Sequence, residues 1–115
     1  MIFIIEDDRT FANCLKRYLG ERKSKIFSNI IDAIRHIDEE LPDLIFLDIM
    51  LTGPDGFTLL NELASYPDTA KIPVVIVSSL NFQNVDLSIY GVVGVLNKDN
   101  LTPKEVTDYV KRYSH

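Results

Sequence analysis

Four short apolar runs punctuate this chain, and each stops on polar or charged side chains. They are Ile2-Phe3-Ile4-Ile5 before Glu6-Asp7, Leu44-Ile45-Phe46-Leu47 before Asp48, Val74-Val75-Ile76-Val77 before Ser78-Ser79, and Val92-Val93-Gly94-Val95-Leu96 before Asn97-Lys98. Each is continuous rather than alternating and most are rich in β-branched residues, the pattern of a strand buried on both faces. Lys25-Ile26-Phe27 supplies a further short strand. Between the runs the apolar spacing turns helical. Phe11, Leu15, Tyr18 and Leu19 lead up to the stop signal Gly20. Ile30, Ile31, Ile34 and Ile37 follow Ser28, the expected N-cap, and Pro42 closes that stretch. Phe57, Leu59, Leu60 and Leu63 follow the turn residues Pro54-Asp55-Gly56. Val106, Tyr109 and Val110 follow a Thr102 cap with Pro103 at the first helical position. Strands alternating with helices demand a parallel sheet covered on both faces through right-handed crossovers.

The 115 residues suffice for one α/β domain with a real core, expected to span residues 1–115. The net charge of −5 argues against a general nucleic-acid or membrane surface, because such surfaces need basic patches. No lysine-arginine cluster is longer than Glu21-Arg22-Lys23-Ser24-Lys25. The apolar start is too short for a signal peptide or a membrane span. Cys14 has no partner for a disulfide and is expected to be a reduced thiol in the cytoplasm.

In a parallel sheet the carboxyl ends of the strands share one edge, where ligands bind. That edge would gather Glu6, Asp7, Asp48, Ser78 and Lys98. Carboxylates held a few ångströms apart repel by about 1 kcal/mol per pair even in water. A hard divalent cation removes that cost, and Mg²⁺ prefers oxygen ligands shared with a phosphate. Lys98 suits a phosphoryl oxygen as a point charge, and Ser78 can donate a hydrogen bond to another. Asp48, alone at a strand end between the acid pair and the lysine, is placed to be a nucleophile forming an aspartyl-phosphate. Asp8 reads as the cap of the first helix, and His36 as a surface residue rather than a phosphodonor.

Glu6-Asp7 after a first strand, Asp48-Ile49-Met50-Leu51-Thr52-Gly53-Pro54-Asp55-Gly56, Ser78 and Lys98 together resemble the receiver domain of two-component response regulators. The resemblance spans the chain and implies a flavodoxin-like three-layer sandwich, a five-stranded parallel sheet in order 2-1-3-4-5 with five helices. It implies Asp48 as phosphoacceptor, Glu6, Asp7, Asp48 and the Met50 backbone carbonyl around Mg²⁺, and Ser78 and Lys98 on the phosphoryl group. A histidine kinase or phosphotransfer protein would be the partner. The chain would not be an enzyme beyond catalysing its own phosphorylation and dephosphorylation. Gly91-Val92-Val93-Gly94-Val95-Leu96-Asn97-Lys98-Asp99 further resembles the receivers that precede LuxR-type DNA-binding domains. The chain is accordingly expected to be a stand-alone receiver or one cut from its output domain, without direct nucleic-acid contact.

The chain also departs from the family pattern. Val95 stands where receivers carry a switch aromatic, Thr52 where a proline is common, and Ser79 where Ala or Gly is usual. Met50 and Leu80 are apolar at positions that tune hydrolysis, which implies a long-lived phosphoryl group. The stretch from Ser78 to Gly91 is short and apolar. With Phe82, Val85, Tyr90 and Val95 it is expected to form, over residues 82–113, a partner or dimer surface of the fourth helix, fifth strand and fifth helix. Two alternatives stand beside this reading. One is a pseudo-receiver, a protein-interaction module that ignores phosphate. The other is a haloacid dehalogenase-type phosphatase, which would need a second Asp where Met50 stands.

Overall fold

The computed structural model describes residues 1–50, 56–79 and 87–114. Five parallel strands, β1 (Ile2–Ile5), β2 (Ser24–Phe27), β3 (Leu44–Leu47), β4 (Val74–Ser78) and β5 (Val92–Asn97), form one sheet in the order 2-1-3-4-5. The α-helices are α1 (Arg9–Leu19), α2 (Ile30–Ile37), α3 (Gly56–Ala64) and α4 (Pro103–Tyr113), with a 3-10 turn at Ser88–Tyr90. The expected strand order is therefore found. Four α-helices stand among the described residues where five were expected, and the Pro54-Asp55 turn, Thr52, Leu80, Phe82 and Val85 lie outside those residues.

Alternation along the strands divides the core in two, because successive side chains point to opposite faces. Phe3, Ile5, Ile45, Leu47, Val74 and Ile76 pack with α2 and α3 on one side. Ile2, Ile4, Leu44, Phe46, Val75 and Val77 pack with α1 and α4 on the other. Both faces of the central strands are covered, so these runs need apolar residues at every position.

Helix starts and stops follow local chemistry. Asp8 caps α1, its carboxylate accepting from the Phe11 N–H at 3.3 Å, and Gly20 closes it at φ 64°. Thr102 and Glu105 form a reciprocal capping box on α4, with Pro103 behind the cap. The cap of α2 is Asn29 and not Ser28, because the Asn29 side chain reaches the Asp32 N–H at 2.9 Å. That helix ends at Ile37, well before Pro42. Ile31 is 53% exposed. It lies about 100° around the helix from Ile30, off the stripe formed by Ile30, Ala33 and Ile37. Phe57 likewise faces outward from α3, whereas Leu59, Leu60 and Leu63 are buried. No helix among the described residues is long and apolar enough to cross a membrane.

The edge strand β5 carries an irregularity. Val74 pairs with Val92 but Val75 pairs with Gly94, so Val93 is an inserted residue. The bulge sets Gly94 and Leu96 on the α1–α4 side and Val95 on the other.

Candidate functional site

Backbone hydrogen bonds carry the sheet one step past its strand ends and fix the functional residues there. The Glu6 N–H donates to Phe27 O at 2.9 Å, Asp48 N–H to Ile5 O at 2.9 Å, and Lys98 N–H to Ser78 O at 3.1 Å. All five residues expected on the rim are brought to this edge. Glu6, Asp48 and Ser78 are buried, Lys98 is half-buried and Asp7 is exposed.

Glu6, Asp7 and Asp48 each offer a carboxylate oxygen, and those three oxygens lie within 4.8 Å of one another. The Lys98 ammonium donates to Glu6 Oε1 and, at 3.2 Å, to Asp48 Oδ2. The Met50 N–H donates to Asp48 Oδ1 at 3.0 Å, so both Asp48 oxygens are held. Glu6 Oε2 is buried with no hydrogen-bond partner among the described residues. A buried carboxylate oxygen left in that state is costly unless a cation meets it. An all-oxygen, anionic donor set with one orphaned oxygen fits a hard divalent ion.

The electrostatics agree. Burial pushes the Glu6 carboxyl up from 4.5 to about 8; the neighbouring Asp48 adds to this and Lys98 opposes it. Burial would raise Asp48 too, but hydrogen bonds to Glu6, Met50 and Lys98 hold it below its ordinary value. Burial would lower Lys98, and the two carboxylates more than offset that. Two carboxyls this close share one proton when no cation joins them, and here Glu6 keeps it while Asp48 stays ionised.

Asp8 turns away to cap α1, as expected. His36 is half-buried rather than fully exposed, its Nδ1 2.9 Å from Asp32 O and its ring beside Phe27. Met50 is 63% exposed beside Asp48. Of the expected switch surface, Val95 is 40% exposed, Tyr90 packs partly against the α2–α3 core, and Phe82 and Val85 lie outside the described residues.

Two neighbours of the site escape sequence reasoning. Gly56, read there as turn chemistry, lies under the Asp48 loop: a Cβ on it would come within 2.9 Å of Ile49 Cα and 3.2 Å of Asp48 O. Phe11, read as core, places its ring 4.8 Å from Lys98 Nζ.

A doubly wound parallel sheet with acids and a lysine converging on its carboxyl edge defines a CheY-like signalling domain. The chain belongs to the response regulator receiver domain family, which matches residues 2–111. It is 48% identical over 49 residues to the response regulator PleD of Caulobacter vibrioides, covering 43% of this chain and 11% of PleD. It is 34% identical over 80 residues to the transcriptional regulatory protein BaeR of Escherichia coli, covering 68% of this chain and 32% of BaeR. The solved signal receiver domain of a DNA-binding response regulator (merR) from Colwellia psychrerythraea 34H superposes with a TM-score of 0.80 at 30% identity. That match covers 96% of this chain and 97% of that one. The chain thus spans about a third or less of these two curated relatives, and is a receiver domain of the two-component response regulators.

Proposed function

We propose that Asp48 is the phosphoacceptor of this receiver, charged by a histidine kinase or phosphotransfer protein in the cytoplasm. The observation that carries this is the convergence of Glu6, Asp7 and Asp48 within 4.8 Å, with the Lys98 ammonium bridging Glu6 and Asp48. An Asp48 carboxylate oxygen attacks the phosphorus of a phosphohistidine. The new O–P bond forms as the N–P bond breaks, and the imidazole leaves. Lys98 neutralises charge on the transferring group, and Ser78 at the end of β4 donates to one of its oxygens. Glu6, Asp7, Asp48 and the Met50 carbonyl would hold Mg²⁺, whose charge offsets that of the incoming phosphoryl group.

The output reading rests on the β5–α4 face. Val93, Val95, Glu105, Tyr109 and Arg112 line a groove of about 650 Å³ there, and Ile89, in the turn before β5, is 77% exposed. This is the partner or dimer surface, and Lys98-Asp99 keeps a LuxR-type subgroup as the finer assignment. Incubation with Mg²⁺ and acetyl phosphate or beryllofluoride, against Asp48→Ala, tests the whole. A receiver takes one phosphoryl group per chain by intact mass and changes conformation stoichiometrically, and sedimentation in the same buffer reads whether the face pairs. No modification of the wild type means a phosphate-blind interaction module, and rapid turnover of added phosphomonoesters means a phosphatase.

A further inference from the structure

We propose that Phe11 is a positioning residue that holds the Lys98 ammonium over the Asp48 carboxylate, an inference resting on Asp48 as phosphoacceptor. Among the described residues three partners meet Lys98 Nζ: Glu6 Oε1, Asp48 Oδ2 and the Phe11 ring, with its centre 4.8 Å away. An ammonium has three donors and no acceptor, so two carboxyl groups and one π face can each take one of them. Phe11 stands beside the two acids as well as the lysine, since Glu6, Phe11, Phe46 and Asp48 line one small space.

The need for the ring follows from what Glu6 does. Lysine is a point charge on a flexible four-carbon stem. When Glu6 turns to a cation, Lys98 loses one of its two carboxyl partners, and its head is free to swing into water. The aromatic quadrupole does not depend on Glu6 and keeps attracting the ammonium where Asp48 needs it. Phe11 is itself set from the same acidic stretch, since its N–H is bound by the Asp8 cap at 3.3 Å, and its ring packs on the α1–α4 core. Asp8 thereby serves the site at one remove: cap to ring, ring to lysine, lysine to phosphoacceptor.

The test uses Phe11→Leu, which keeps an apolar side chain and removes the π face, and Phe11→Tyr, which keeps the face. With acetyl phosphate and saturating Mg²⁺, Phe11→Leu is expected to take up phosphate about three- to tenfold more slowly, with Phe11→Tyr near wild type. In a Lys98→Gln background Phe11→Leu should cost nothing more. By NMR the Lys98 ε-methylene protons, shifted upfield by the ring current in the wild type, should move downfield in Phe11→Leu. An equal slowing in the Lys98→Gln background, an unchanged rate in Phe11→Leu, or unmoved Lys98 protons overturns the proposal. Should the wild type take no phosphate at all, the reading of Asp48 fails, and the Lys98 shifts still decide whether the ring holds the lysine.

Discussion

Gly94→Ala should destabilise this domain, and should do so only while Tyr109 is present. Gly94 is not among the positive-φ glycines, Gly20 and Gly91, so alanine meets no backbone strain there. Its obstacle is Tyr109 on α4: a Cβ on Gly94 would stand 1.9 Å from the Tyr109 hydroxyl oxygen and 2.4 Å from Cζ. Ordinary carbon contacts begin near about 3.5 Å, so the ring must retreat by roughly 1 to 2 Å. It cannot do so freely, because it stacks on Tyr113 with centroids 6.5 Å apart and planes at 17°. Overpacking of this kind costs about 1–3 kcal/mol, and the reduced entropy of the unfolded chain returns about 0.4–1 kcal/mol. The net loss is then about 1.3 kcal/mol at the middle of those ranges, a fall in Tm of roughly 5 °C for a domain this size. In a Tyr109→Ala background the same substitution should become stabilising, by about 0.4–1 kcal/mol. Urea melts of the four proteins close the cycle, with an unchanged m-value as the sign that only stability moved. A loss of the same size in both backgrounds would refute the reasoning.

Two further outcomes follow from the site. Glu6 titrates at about 8 in the fold against 4.5 outside it, so its contribution is fully present below 4.5 and is lost as pH rises through 8. Without metal, Tm should fall between pH 5 and 8, and the rise in Tm on adding Mg²⁺ should be larger at pH 8 than at pH 6; equal rises would contradict the assignment. Asp48, held low, acts only below its ordinary value and leaves that window untouched. Gly56→Ala must push Ile49 and the Asp48 backbone aside, which should cost about 1–3 kcal/mol and weaken Mg²⁺ binding by isothermal titration.

How much of this the chain discloses beforehand depends on the range of each interaction. Glu6, Asp48, Ser78 and Lys98 are legible because each follows an apolar run, and topology alone carries strand ends to one edge. The α4 cap is legible because Thr102, Pro103 and Glu105 act within a single turn. The choice between Ser28 and Asn29 is not, since both suit a cap and one residue of helix phase decides between them. Ile31 is misread for the same reason: four isoleucines leave the stripe's centre undefined until the sheet selects it.

Phe11 and Tyr109 show the stricter limit. Both are apolar at helical spacing, and that spacing is fully satisfied by a place in the core, so nothing in periodicity distinguishes a ring that only fills space from one that meets a functional strand. What distinguishes them is where α1 and α4 sit against the carboxyl edge and β5, a matter of helix packing. Gly94 is the trace of that contact on the strand: an interior glycine weakens a strand, and it is tolerated where another group comes close. A receiver without an aromatic at position 95 thus still brings one to β5, through the neighbouring residue and from the opposite layer. The proposed output face can respond to the proposed phosphorylation of Asp48 through Tyr109 only if that ring moves with β5. The Gly94→Ala cycle, repeated on the beryllofluoride-bound protein, measures this: a coupling energy unchanged by beryllofluoride would leave Tyr109 as packing alone.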